Sequence, residues 1–403
     1  MDWIVITVFI IVYLGMIAGR IPGLALDRTG VALLGAIVLL ASGTVRTSDL
    51  PEAVDIGTIA LLFGLMILSA QFRLAGTYSS IVRKIGSYRL EPQRLLVLII
   101  LISAVLSALL INDVVCLAMT PIVIAICYKH RFNPIPFLLG VAGASNIGSA
   151  ATLVGNPQNI LIGQTLALSF SRYLWYSTIP VMASTLLLWL IISYQYRKQW
   201  YAPIEEPGVV VPLFSRWQTI KGTVIAGLLL VVFLTGLFPR DLAALGVAGL
   251  LLCSRRMRSR EILGIVDWQL LVLFISLFIV NFALNASNAL QLFHSVALGA
   301  GLDMSHPGWL YLVSAALSNI VSNVPAVMLL LPLAKHPMAG PALALSSTLA
   351  GNLIIVGSIA NIIVVDQAAR LGINISWTQH AKTGIPVTLI TLIVAGLWLW
   401  LCS

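Results

Sequence analysis

Two stretches of the chain, about 211 residues apart, carry the same polar interruption inside apolar runs. The first holds Asn112-Asp113, with Pro121 nine residues after the asparagine; the second holds Ser322-Asn323, with Pro332 nine residues on. Each is followed by a Gly/Asn-rich break in a hydrophobic segment, SNIGSAATLVGNPQN at 145–159 and GNLIIVGSIAN at 351–361. At membrane depth a polar backbone interruption persists only where it is buried in protein or lines a cavity. A matched pair of them predicts the two halves of one transport site.

Composition sets the surroundings. Charged residues make up 9% of the chain and hydrophobic ones 59%, with mean hydropathy +1.01. That excludes a water-soluble domain and predicts an all-α polytopic membrane protein. The first apolar run starts at Trp3 without a basic leader or a small-residue cleavage site, and so reads as a membrane helix. The four cysteines have no metal or redox spacing, and the five histidines are expected in loops or at interfaces without ligand spacing. No metal centre and no organic cofactor are predicted. HExxH, GxSxG and Walker A patterns are missing, so neither an enzyme nor direct ATP drive is expected. The net charge of +9 reflects membrane orientation rather than nucleic acid.

Apolar segments at about 3–19, 30–45, 56–75, 136–170, 175–195, 221–237, 242–254, 268–287, 341–369 and 384–401 suit one crossing each, those at 136–170 and 341–369 being interrupted. The stretches 95–127 and 308–334 have polar tips at mid-length and read as hairpins returning to the side they entered. With that assumption, nineteen of the 23 lysines and arginines fall on one side, which the positive-inside rule makes cytoplasmic. Both termini then face outward, in the cytoplasmic (inner) membrane. Residues 77–93 read as an amphipathic helix on the cytoplasmic surface, with a counterpart at 288–307.

A shift of 212 puts Arg28 on Arg240 and Val54-Asp55 on Val266-Asp267; past the tips the offset is 202, with Val154-Gly155 on Val356-Gly357 and Asn159 on Asn361. The chain therefore divides into a first repeat at 1–196, a cytoplasmic linker at 197–220 and a second repeat at 221–403. Five crossings plus one re-entrant hairpin per half is an odd number, so the second copy enters from the opposite face as an inverted repeat.

In Gly155-Asn156-Pro157-Gln158-Asn159, Asn156 is placed to cap a new half-helix and Pro157 to occupy its first turn. Gly148-Ser149 can end the preceding half and leave carbonyls unpaired; Gly357-Ser358 before Asn361 offers the same in the second break. Helix N-termini favour an anion, and free carbonyls favour Na⁺ or a protonated group. Asp113 is the one carboxylate predicted far from a membrane edge, a proton or cation site or else a cap on its hairpin arm. Its counterpart is Val324. Asp366 lies four residues before Arg370, the spacing of a surface ion pair.

At these residues the chain resembles the ion transporter superfamily of arsenite permeases, NhaD-type sodium–proton antiporters, citrate carriers and sodium-dicarboxylate symporters. Asn112-Asp113 with Thr120-Pro121 looks like the first hairpin of the arsenite-permease branch. Asn146…Gly148…Thr152…Gly155-x-Pro157-x-Asn159 is similar to the broken helix that follows it, and Ser322-Asn323-Val324-Pro325 to the second hairpin. Within the group the likeness runs to bacterial inner-membrane anion permeases with the same GNPQNILI and VDW segments. The resemblance implies an elevator-like carrier, compatible with a homodimer, moving a small inorganic or organic anion or oxyacid with Na⁺ or H⁺. It implies coupling-ion positions at Asn112, Asp113, Gly148, Ser322, Asn323 and Gly357, and substrate-facing ones at Thr152, Asn156, Asn159, Ser358 and Asn361. Two departures stand out. The Ser-Asn-Thr signature of dicarboxylate carriers is missing from both tips, and Asn156 stands where several relatives have Asp. The alternative expectation is a cation–proton antiporter using Asp113.

Overall fold

A computed structural model describes residues 3–19, 25–88, 90–202, 214–287, 295, 298–299 and 301–403. The first half comprises α1 (Trp3–Ala18), α2 (Arg28–Ala41), α3 (Ile56–Leu74), α4 (Thr77–Gly86), the hairpin helices α5 (Pro92–Leu109) and α6 (Asn112–His130), the half-helices α7 (Pro134–Ser149) and α8 (Pro157–Thr165), and the long α9 (Phe170–Gln195). The second comprises α10 (Arg216–Thr235), α11 (Arg240–Leu252), α12 (Trp268–Ala286), the hairpin helices α13 (Pro307–Val321) and α14 (Asn323–Leu330), the half-helices α15 (Ala339–Ala350) and α16 (Ile359–Arg370), and α17 (Trp377–Cys402). Single-turn helices Leu50–Ala53 and Ser259–Leu263 lead into α3 and α12. Seven of the described helices are long and apolar enough to cross a membrane: α3, α5, α6, α9, α10, α12 and α17.

Matching punctuation produces matching elements. Asp55 accepts from the Thr58 N–H at 2.9 Å and starts α3; Asp267 accepts from the Leu270 N–H at 3.0 Å and starts α12. Each satisfies one of the orphan donors of a helix N-terminus. Both stretches read as hairpins form two helices meeting at the polar tip, and both interrupted segments are broken helices. The Asn112 N–H donates to the Gly155 carbonyl at 3.0 Å, so the first hairpin tip lies level with the first break.

Two crossings tie the halves together at the flanks. The third helix of each half packs on the second helix of the other, α3 on α11 and α12 on α2. Between them lie the hairpins and half-helices, exchanged in the same way: α16 packs on α6 and α7, and α8 on α14 and α15.

Several boundaries differ from the sequence reading. The linker gives way to α10 at Arg216, because Arg216 and Lys221 fit the helix's polar end. The amphipathic helix ends at Gly86, and its Tyr78 and Val82 are buried against protein, with Gly86 closing on Ile126 of α6. Pro203, Glu205, Glu206 and Pro207, with most of 288–300, lie outside the described residues. Asp366 pairs with Arg370 at 2.9 Å on the surface, as its spacing predicts. His380, expected in a loop or at an interface, is instead buried in the first turn of α17.

Gly64 lets α3 lie close against α11: a Cβ there would lie 2.6 Å from the Ala244 carbonyl group. Gly64→Leu is expected to lower the apparent melting temperature of the purified protein through overpacking, at a cost of about 1–3 kcal/mol. Gly246→Leu on α11, where a Cβ meets nothing within 4 Å, should melt as the parent does; equal melting of both variants would refute this packing.

Candidate functional site

The breaks are built alike. Helix α7 stops at Ser149, and α8 restarts at Pro157 with Asn156 as its cap, accepting from the Asn159 N–H at 2.8 Å. In the second half α15 stops at Ala350, and α16 restarts at Ile359 with Ser358 accepting from the Ala360 N–H at 3.2 Å. A Cβ on Gly155 would overlap the Ser149 and Ser107 carbonyls, and one on Gly148 would overlap the backbone of Ala104, so both positions need glycine. The carbonyls expected to be unpaired are not free. Asn159 Nδ2 donates to Thr152 O at 3.0 Å and to Ser149 O at 3.4 Å. Asn361 Nδ2 donates to Gly351 O at 2.8 Å and Ile354 O at 3.2 Å. The acceptors lie ten and seven residues upstream in both repeats.

The two breaks then bind each other reciprocally. Asn146 Nδ2 donates to Asn361 Oδ1 at 3.2 Å, and Thr348 Oγ1 donates to Asn159 Oδ1 at 3.3 Å. Ser358 Oγ donates to Asn146 Oδ1 at 2.8 Å, and Asn156 Nδ2 donates to Thr348 Oγ1 at 3.2 Å. Positions 146 and 348, 156 and 358, and 159 and 361 each stand 202 apart. One contact is therefore the approximate twofold image of another. Asn352 Oδ1 accepts from Asn146 at 2.9 Å, and Thr348 also accepts from Gln158 at 3.2 Å.

Both hairpin tips reach this cluster. Asn112 donates its Nδ2 to Asn146 Oδ1 at 3.4 Å and accepts at its carbonyl from Ser145 at 3.1 Å. With its amide oriented to suit its neighbours, Asn323 donates to Ser347 O at 3.1 Å and Gly357 O at 3.2 Å, and accepts from Gln158 at 3.3 Å. Ser322, just before it, holds φ +77° and ψ 160°, a region costly for any residue but glycine. Thr152 ties the first break to α5 through Ala108 O at 2.6 Å. Asp113 sits half-buried in the first turn of α6, making no hydrogen bond to its backbone N–H groups and no ion pair among the described residues. Buried polar atoms without a partner mark the same centre: Asn112 Oδ1, Asn319 Oδ1 and Asn352 Nδ2. Such atoms in a native site call for a ligand or water.

The side chains joined in this cluster are amides and hydroxyls, and none is charged. Every candidate read from the sequence lies in the cluster or in the breaks and tips around it. Asn319, Thr348 and Asn352 were missed, as was Gln158. Thr348 was accessible as the residue 202 after Asn146, and Gln158 and Asn352 stand inside the two breaks; Asn319 carries no signal until the backbone folds. A cavity of about 560 Å³ lies between the start of α3, α8, α12 and α14, with Glu52, Asp55, Asn281 and Met328 in its lining. There Tyr13 OH donates to Asn281 Oδ1 at 3.2 Å and lies 3.3 Å from Pro325 O on the second hairpin.

Asn159→Ala strands the Thr152 and Ser149 carbonyls and Asn361→Ala strands Gly351 O, while Ile354 O keeps the Gly357 N–H at 3.0 Å; each should destabilise the protein by roughly 1–3 kcal/mol. Thermal unfolding of the two purified variants checks this, and unshifted melting in either would show that its amide is not what closes the break.

The citrate transporter family model matches residues 6–342. The 46 kDa membrane protein of Mycobacterium leprae is 31% identical, with 100% of this chain and 99% of that one covered. The silicon efflux transporter LSI3 of Oryza sativa is 25% identical, with 92% of each covered. Among solved structures, the Alcanivorax borkumensis YdaH transporter shares the fold, with a TM-score of 0.59 and 14% identity over 99% of this chain and 96% of that one. A match of this extent, on a fold of paired broken helices, makes the chain a multi-pass membrane transporter belonging to the citrate transporter family.

Proposed function

We propose that the protein is an ion-coupled secondary carrier for a small oxyacid that is neutral or weakly charged when bound. The observation that carries this reading is the reciprocal cluster of uncharged amides and hydroxyls between the two breaks. A tricarboxylate brought there would lose its hydration without meeting a cationic side chain, at a cost of several kcal/mol per uncompensated charge. The N-termini of α8 and α16 contribute only about half a charge each. A hydroxyl-rich acid can instead exchange hydrogen bonds one for one with Asn146, Asn159, Thr348 and Asn361. The name of the relative from Oryza sativa, a silicon efflux transporter, fits that chemistry.

The proposed transport cycle is elevator-type alternating access in the inner membrane, with the basic loops inside and both termini outside. The two inverted repeats supply the crossing helices α1–α3 and α10–α12 as a frame. The hairpins and half-helices move against it. Besides apolar packing, each tip meets the frame through one long hydrogen bond among the described residues, Ile111 N–H to Ser69 Oγ at 3.4 Å and Tyr13 OH to Pro325 O at 3.3 Å. Asn112, Asn323 and the breaks at Gly148 and Gly357 are the proposed coupling-ion positions. A second reading, cation–proton antiport, is favoured by the unpaired Asp113.

Flux in proteoliposomes tests both, with arsenite and citrate as probes. Arsenite flux should saturate, and Asn112→Ala and Asn323→Ala should each slow it at least about tenfold, the equivalent of roughly 1.4 kcal/mol. Unchanged flux in both variants removes the site assignment, and citrate outcompeting arsenite removes the oxyacid. Sodium- or lithium-driven proton movement that Asp113→Asn abolishes, without arsenite flux, would establish the antiporter instead.

A further inference from the structure

The long helices α9 and α17 are both 26 residues, each opened by a capping serine, Ser169 and Ser376. The fourth residue of each helix braces a break. In α9 the Tyr173 hydroxyl donates to Ala150 O at 2.8 Å; in α17 the His380 ring Nε2 meets Asn352 O at 3.3 Å. Ala150 and Asn352 are 202 apart, the offset that relates the breaks. One turn further on, Ser177 Oγ donates to Ala151 O at 2.6 Å, while Gly384 packs against the Asn352 and Leu353 carbonyls. The same mechanical task therefore falls to a phenol in the first repeat and to an imidazole in the second. Only the imidazole changes charge near neutral pH.

A carbonyl oxygen only accepts, so Nε2 carries the proton in this contact. His380 is 5% exposed. Its surroundings offer an imidazolium no carboxylate, only the Asn352 carbonyl that the neutral ring already meets at 3.3 Å. Helices α7 and α15 and the second break carry no charged residue, and α9 carries only Arg172. Arg197 and Lys198 follow the end of α9, and Lys382 is two residues from His380; all are cations. Asp366 and Arg370 of α16 are paired with each other. A charged ring in such a place is costly to keep buried. Asn352 carries any disturbance directly into the central cluster, because its Oδ1 accepts from Asn146.

We propose that His380 is a proton-sensitive positioning residue that, when neutral, holds the second break closed and, when protonated, withdraws and frees the Asn352 carbonyl. Acid then loosens the second repeat's half of the site and leaves the Tyr173-braced half unchanged. The brace itself needs no assumption about cargo; its consequence for transport rests on the carrier reading above.

Hydrogen exchange of the full-length protein in detergent, corrected for intrinsic rates, tests the brace without any substrate. Between about pH 8 and about pH 4.5, the lower limit placed well below the ordinary imidazole range, peptides covering 351–358 should lose protection roughly fivefold, the effect of one hydrogen bond. Peptides covering 150–156 should not change. His380→Tyr, which copies the first repeat, and His380→Gln, a non-titrating donor, should both abolish the pH dependence, so one well-folded variant of the two suffices. A pH-independent second break, equal changes in both breaks, or a response that survives in a folded variant would each overturn the proposal. The arsenite flux of the same variants is a separate arm: its failure at every pH in the parent protein counts against the carrier reading, and the exchange result stands apart from it.

Discussion

An interrupted helix inside an apolar protein must satisfy its backbone by some other means, and here side-chain amides do it. Asn159 and Asn361 each cross their own break to reach two carbonyls. Each also presents its Oδ1 to the opposite repeat, accepting from Thr348 or Asn146. The group that closes a break is thus the group that joins the repeats. Leaving one buried carbonyl unsatisfied costs about 1–3 kcal/mol, so the two breaks are stable mainly in each other's company. The hairpin tips, the crossing helices and the long braces α9 and α17 are arranged around that centre.

Reciprocity is approximate, and the departures from it lie where chemistry can differ between the halves. Asp113 faces Val324 across the repeat, Asn146 faces Thr348, Asn156 faces Ser358 and Tyr173 faces His380. A strictly symmetric carrier would respond to ions and protons equally from both sides. The substitutions keep the hydrogen-bond geometry of the breaks while giving one hairpin an acid and one brace a titratable ring. The fold sets the place of each group, and the side-chain type sets the chemistry of that half.

The relation between half-helices and frame follows from packing. Helices α3 and α11 approach closely because Gly64 has no side chain, so the flanks form a rigid contact between the repeats. The tips, by contrast, meet the flanks through long single hydrogen bonds. The proposed movement of the centre rests on that contrast, with α8 also tied to α11 through Arg240 Nη2 donating to Gly163 O at 2.7 Å.

Much of this was legible in the amino-acid order alone. The helical class, the apolar segments, the two tips, the two breaks, the Asn156 half-helix start and the Asp366–Arg370 pair all follow from local rules: hydropathy, capping and spacing act within a few residues. The repeat offset also carried Asn159 onto Asn361. What sequence could not decide was the partner of each polar group. Carbonyls expected to be free are occupied by amides ten and seven residues downstream, and His380 turns inward against a carbonyl 28 residues away in the chain. Thr348 and Gln158 meet only when α15 and α8 are brought together, Asn352 meets Asn146 of α7, and Asn319 of α13 meets Ala350 of α15. Hydrogen bonds between distant segments depend on three-dimensional proximity, which local propensity does not encode, and in this protein those bonds make the centre.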